Sequence, residues 1–248
     1  MAALLTVSCF LLWMSHNYTV PVMMYHSVDY ADKPEANWVS PELFERHMAY
    51  LFYHKYHVIS LDELVDSIKE GRKISKKSVV ITFDDGYENN YTYALNILKK
   101  YGFPATIFIP SDFLDTHGHL TTQQVKEMAQ QKIDVGSHSR THAYLPGQPE
   151  ITQKDEIRGS RQALEEKVAT EIKYFAYPIG GFSPEIKKIV REAGYKGACT
   201  TNRGNDRANK DVYALKRIRF SNNDDKDHTL WIKLSGYYNL FRRLKDPY

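Results

Sequence analysis

From Val20 onward the chain alternates short apolar or β-branched runs with longer amphipathic stretches, and this alternation limits the fold more than any other feature. Strands that alternate with helices call for a parallel sheet, either an open doubly wound sheet or a closed barrel. Residues 20–25, 56–59, 78–83, 105–109, 134–136, 173–177, 196–199 and 215–218 read as strands. The intervening stretches carry helix punctuation. Ser40-Pro41 opens a helix to Tyr53, with Ser as cap and Pro in the first turn. Ser60 with Glu63 and Thr121 with Gln124 have capping-box spacing, for helices to Lys69 and Lys132. Helices over 90–101 and 184–193 end at Gly102 and Gly194. A long charged helix is expected over 151–168 and a terminal one over 229–243.

The chain has 248 residues, and no linker or repeat divides the body, so one domain is the simplest organisation. No glycine-rich phosphate loop follows a strand, which disfavours a nucleotide-binding Rossmann domain. The net charge of +3 and the lack of a basic arm argue against a nucleic-acid partner. The 18 tyrosines suit either a carbohydrate cleft or ordinary packing. Cys9 and Cys199 form no CxxC motif and are not expected to pair. Residues 2–14 carry no charge and fall short of the ~20 apolar residues of a membrane span. They resemble the apolar part of a signal peptide or signal anchor without its positive flank. The expected division is a signal or membrane-anchor segment at 1–17 and a catalytic domain at 18–248. That makes the protein secreted, periplasmic or anchored to the cell envelope, with membrane attachment through its N-terminus. A buried first segment is the alternative.

Three motifs carry the chemistry. Thr82-Phe83-Asp84-Asp85-Gly86 ends a strongly hydrophobic strand with two carboxylates, at the strand end where α/β folds place active sites; alone it is also a good turn. His138-Ser139-Arg140-Thr141-His142 follows the strand 134–136, and two histidines four apart converge on one metal if the loop coils into a helical turn. One carboxylate and two imidazoles form a three-ligand site with a position left for water, the pattern of catalytic rather than structural zinc. Met24-Tyr25-His26-Ser27 ends the first strand, and a parallel barrel would place His26 on the same rim.

The TFDDG and HSRTH segments resemble the two metal motifs of the polysaccharide deacetylase family (NodB-like, carbohydrate esterase family four), over about residues 20–220. The resemblance implies an irregular (β/α) barrel of about seven parallel strands. It implies Asp84 as general base and Asp85, His138 and His142 as ligands of one divalent metal, zinc first, with cobalt or nickel as alternatives. Two departures are visible. The third motif reads Phe175-Ala176-Tyr177-Pro178-Ile179-Gly180 with no arginine, and Leu215-Lys216-Arg217-Ile218 stands where a late Leu-x-x-His is usual. Both resemble the biofilm poly-β-1,6-N-acetylglucosamine deacetylase branch. That similarity implies His26 as general acid, Arg217 in place of the missing arginine beside Asp84, and Tyr177, Pro178 and Ile179 as the oxyanion and substrate segment, with the Ile179 amide as donor. The implied substrate is an N-acetylated polysaccharide and the implied state a monomer. An O-acetyl esterase and an inactive glycan-binding barrel are the rival readings.

Overall fold

The computed structural model describes residues 18–30, 37–201, 206 and 208–241 of the chain. Its strands are β1 (Val22–Tyr25), β2 (Ser27–Val28), β3 (Trp38–Val39), β4 (His57–Val58), β5 (Ser78–Phe83), β6 (Ala105–Ile109), β7 (Ile133–Ser137), β8 (Tyr174–Ala176), β9 (Gly197–Thr200), β10 (Leu215–Lys216) and β11 (Ile218–Arg219). The helices are α1 (Pro41–Tyr53), α2 (Leu61–Lys69), α3 (90–101), α4 (Thr122–Ala129), α5 (150–168), α6 (Pro184–Glu192), α7 (Asp227–Leu234) and α8 (Tyr238–Phe241). α3 opens with a π turn, Asn90–Ala94, and α5 contains another, Asp155–Gly159.

Eight strands form one parallel sheet in the order β10-β9-β8-β7-β6-β5-β1-β11, and β4 adds beside the start of β5. The two end strands are neighbours in sequence, separated only by Arg217. The Arg217 amide donates to Thr200 O (3.0 Å) and the Phe220 amide to Met24 O (2.9 Å), so this segment joins both ends of the sheet and nearly closes it. The result is the (β/α) barrel expected from the sequence. The strand expected at 215–218 is divided because it changes partner, from β9 to β1, at Arg217.

Period-two alternation sorts the side chains. Met23, Tyr25, Ile81, Phe83, Ile107, Phe175 and Ile218 belong to the main core under the helices. Val20, Val22, Val80, Phe108, Tyr174, Ala176, Cys199 and Leu215 form a second cluster, which fills the barrel. Leu61, Leu64 and Val65 of α2 join this inner cluster and plug the end where the strands begin. Each contributes on the order of 1.5–3 kcal/mol of transfer free energy before the entropy of ordering. Continued to the other end, the same inward alternation runs from Met24 to His26, from Thr82 to Asp84, from Gly136 to His138 and from Leu215 to Arg217.

The terminal helix differs from expectation. α7 ends at Leu234, and α8 restarts after Gly236, which takes φ 82° and accepts hydrogen bonds from the Thr19 amide and hydroxyl. A Cβ there would collide with the Tyr18 ring, so glycine is required twice over. Segment 1–17 and the end of the expected helix at 242–243 lie outside the described residues.

Candidate active site and metal centre

Asp84 still belongs to the sheet, since its amide donates to Tyr25 O at 3.0 Å. Asp85 then takes φ 70° and Gly86 φ 67°, and two left-handed residues in succession turn the chain sharply. The two carboxylates therefore meet different partners. Asp84 is fully enclosed and bidentate to Arg217, with Nη1–Oδ1 2.5 Å and Nη2–Oδ2 2.6 Å. Arg217 is itself buried inside the barrel, its guanidinium 5.3 Å from the Phe108 ring centroid. Burial pushes the Asp84 carboxyl up, but the charge of Arg217 outweighs it, with help from His138, and the pKa settles at about 2. Burial and the neighbouring charge of Asp84 push Asp85 the other way, to about 6.

The imidazoles come from the loop after β7. His138 Nδ1 donates to Ala176 O at 2.7 Å, which leaves Nε2 as the lone-pair nitrogen facing the carboxylates. Burial drives the His138 pKa down to about 4, so the ring is neutral and ready to act as a ligand. The expected helical turn does not form. Instead Ser139 (φ 65°) and His142 (φ 60°) take left-handed conformations that bring the two rings to 4.8 Å between centroids. Such residues cost ~1–3 kcal/mol each and persist only when their surroundings hold them. Glu156 supplies that hold: its carboxylate accepts from the Arg140 amide (2.9 Å), the Thr141 amide (3.0 Å) and the Thr141 hydroxyl (2.7 Å).

Asp85 Oδ1 stands 3.6 Å from His138 Nε2 and 3.4 Å from His142 Nε2. It is buried with no hydrogen-bond partner among the described residues. A buried, orphaned carboxylate oxygen is costly and needs a reason. Ligands ~2.1 Å from one tetrahedral ion stand roughly 3.4 Å apart, so the three atoms fit a single divalent cation. They are also a group among the described residues able to hold a metal ion.

His26, directly after β1, is largely buried, and its Nδ1 has no partner among the described residues. Burial lowers its pKa, and the charges of Asp84 and Asp85 partly offset this, so His26 shares the mouth with them. In the segment 177–179 the structure separates three expected contacts. The Tyr177 side chain is wholly buried, stacks on Phe182 and donates its hydroxyl to Tyr213 O (2.9 Å), and its amide donates to Cys199 O. Tyr177 is therefore a core residue and not a substrate contact. Pro178 is buried and has no N–H to give. Ile179 is exposed and strained, with φ 58° and ψ 0°, while Thr200 and Thr201 hydroxyls clamp the carbonyls of Gly180 and Ile179. Its amide is left as the one donor of the three.

Two supporting residues escaped the sequence reading. Glu156 lies in the π turn of α5, where the charged helix pattern hid it; a lone acid among the buried positions Ile157, Ser160 and Leu164 was the available signal. Asn89 joins the segment after His26 to the one after Asp85, donating to Ser27 Oγ (2.7 Å) and accepting from the Val28 amide (3.1 Å).

A parallel barrel whose mouth gathers these groups defines a class, and comparison with known proteins agrees. The family model described as polysaccharide deacetylase matches residues 71–198, and the chain belongs to that family of carbohydrate deacetylases. The match takes in Asp84, Asp85, His138, His142 and Ile179 but neither His26 nor Arg217. Among individual relatives, YxkH of Bacillus subtilis is 35% identical over 82% of this chain and 71% of its own length. The poly-β-1,6-N-acetyl-D-glucosamine N-deacetylase of Staphylococcus epidermidis is 28% identical over 80% and 73%. The Streptococcus pyogenes deacetylase PplD, solved in complex with acetate, shares the fold with a TM-score of 0.79 and 28% identity, over 87% of this chain and 97% of that one.

Proposed function

We propose that this protein is a metal-dependent hydrolase that removes N-acetyl groups from an N-acetylglucosamine polymer outside the cytoplasm. The observation that carries the reading is the orphaned Asp85 oxygen between two imidazole nitrogens, beside a carboxylate kept ionised by a buried arginine. Asp85, His138 and His142 would hold the ion. When bound, a divalent cation supplies a Lewis acid that polarises the acetyl carbonyl and makes a water more acidic.

The remaining steps belong to this chain's own side chains. Arg217 fixes the plane of the Asp84 carboxylate and keeps it charged at every working pH. Asp84 accepts the proton of the attacking water. With a pKa of about 2 it is a weak acceptor, so transfer belongs to the transition state, where that proton is most acidic. The Ile179 amide, aimed by its strained backbone, stabilises the developing oxyanion. His26 delivers a proton to the departing amine, and burial makes its protonated form the stronger acid. The N-acetylglucosamine assignment is supported by the name of the staphylococcal relative and by the resemblance of the two motif departures to that branch.

The test is acetate release from poly-β-1,6-N-acetylglucosamine, chitooligosaccharide, peptidoglycan and acetylated xylan, before and after chelation and metal return. Release from an N-acetylglucosamine polymer that stops with chelator and returns with metal is expected. Release from acetylated xylan alone would replace the reading with an O-acetyl esterase.

A further inference from the structure

We propose that the end of the barrel opposite the catalytic mouth seats on an anionic lipid surface. α1 follows β1 and runs back toward the strand starts, so its last residues lie at the plugged end. There Phe52 and Tyr53 are 54% and 76% exposed. Phe52 packs on Tyr101 (5.7 Å between centroids) and Tyr101 on Phe103 (5.7 Å), which makes one aromatic patch at the same end. The patch continues into cations. Lys77 lies 5.8 Å over the Tyr56 ring, and its amide donates to the Tyr18 hydroxyl at 3.0 Å. Tyr18 lines a cleft of about 490 Å³ walled by Leu64, Ile68 and Ile74 and edged by Arg72, Lys73 and Lys76.

Residues 69–77, Lys-Glu-Gly-Arg-Lys-Ile-Ser-Lys-Lys, carry five cations against one carboxylate. Neither Lys73 nor Lys76 forms an ion pair among the described residues. Exposed aromatic rings and unpaired lysines at one end of the barrel match the two phases of a membrane interface, the ring level and the phosphate level. A soluble polyanion would use the lysines but leave Phe52 and Tyr53 with no apolar phase. Tyr18, which lines this cleft, follows the uncharged run 2–14 by four residues in the sequence. Seated this way, the molecule points His26, Asp84 and the metal group away from the bilayer, toward polymer outside it.

The test uses the full chain and vesicles of phosphatidylcholine with or without phosphatidylglycerol. Partition should favour the anionic vesicles and fall steeply as salt rises, a readout that needs no variant. The triple variant Arg72→Gln, Lys73→Gln, Lys76→Gln should lose on the order of 10²-fold on anionic vesicles and little on neutral ones. Phe52→Ser with Tyr53→Ser should weaken binding to both by roughly 10-fold. Thermal melts establish that each variant is folded. Wild-type partition in the triple variant, or salt-independent binding, overturns the proposal. Dependence on the cations but not on Phe52 and Tyr53, with competition by soluble polyphosphate, overturns it in favour of a polyanion site.

Discussion

At the floor of the barrel the inward positions are Val20, Val22, Val80 and Leu215, closed by Leu61, Leu64 and Val65 of α2. At the mouth, the same alternation delivers His26, Asp84, His138 and Arg217. The floor contributes stability through apolar burial. The mouth carries buried charges whose desolvation is offset only by their pairing. Fold and site are thus two ends of one pattern, and a substitution should tell them apart. Damage at the mouth should remove activity, while damage at the floor should remove stability.

The largest effect is expected at Asp84. Asp84→Asn should lower turnover on the order of 10³-fold or more while the metal stays bound, because the amide cannot accept the proton and Asp84 is not the proposed ligand. Loss of metal together with turnover would exchange the roles of the two aspartates. His26→Ala should slow amide hydrolysis by about 10²-fold but spare an activated aryl acetate, whose leaving group departs without a proton. Equal loss on both substrates would remove His26 from the acid role.

The floor responds differently. Leu64→Ala should cost about 2–5 kcal/mol of stability, read by chemical denaturation, and leave kcat/KM near wild type at low temperature. A strong kinetic defect in a folded Leu64→Ala protein would show that floor and mouth are coupled.

A smaller effect belongs to His47, under the site. Its Nδ1 accepts from the Tyr25 hydroxyl (2.9 Å) and its Nε2 donates to Asp224 O (2.9 Å). Burial lowers its pKa to about 4. The unfolded chain binds this proton near pH 6.5 and the folded one does not, so its contribution is complete above pH 6.5 and drains as pH falls toward 4. The full loss is at most on the order of 3 kcal/mol. The stability gap between wild type and His47→Gln should therefore narrow between pH 7 and pH 5. A gap that stays constant contradicts the assignment.

Much of this was legible in the sequence because it depends on local rules. Caps at Ser40, Ser60 and Thr121 accept from the amides three residues on, and the stop at Gly102 takes φ 69°. The TFDDG and HSRTH segments stand at strand ends as their spacing suggested, and the inward positions follow period two. What could not be read depends on backbone conformation or distant partners. The left-handed turns at Ser139 and His142 have no glycine to announce them. The clamp by Glu156 joins positions 15 and 16 residues apart. Tyr177 sits in a motif with functional neighbours, yet alternation turns it outward into the helix-packed core.

The central claim is that the mouth holds one metal ion on Asp85, His138 and His142, with Asp84 beside it as base. Metal content and affinity of the purified chain, measured by elemental analysis and chelator competition for wild type, His138→Ala and Asp84→Asn, test it directly. One divalent ion per wild-type chain, affinity lowered at least 10²-fold in His138→Ala, and an ion retained in Asp84→Asn are the expected results. Equal metal content and affinity in wild type and His138→Ala would contradict the account.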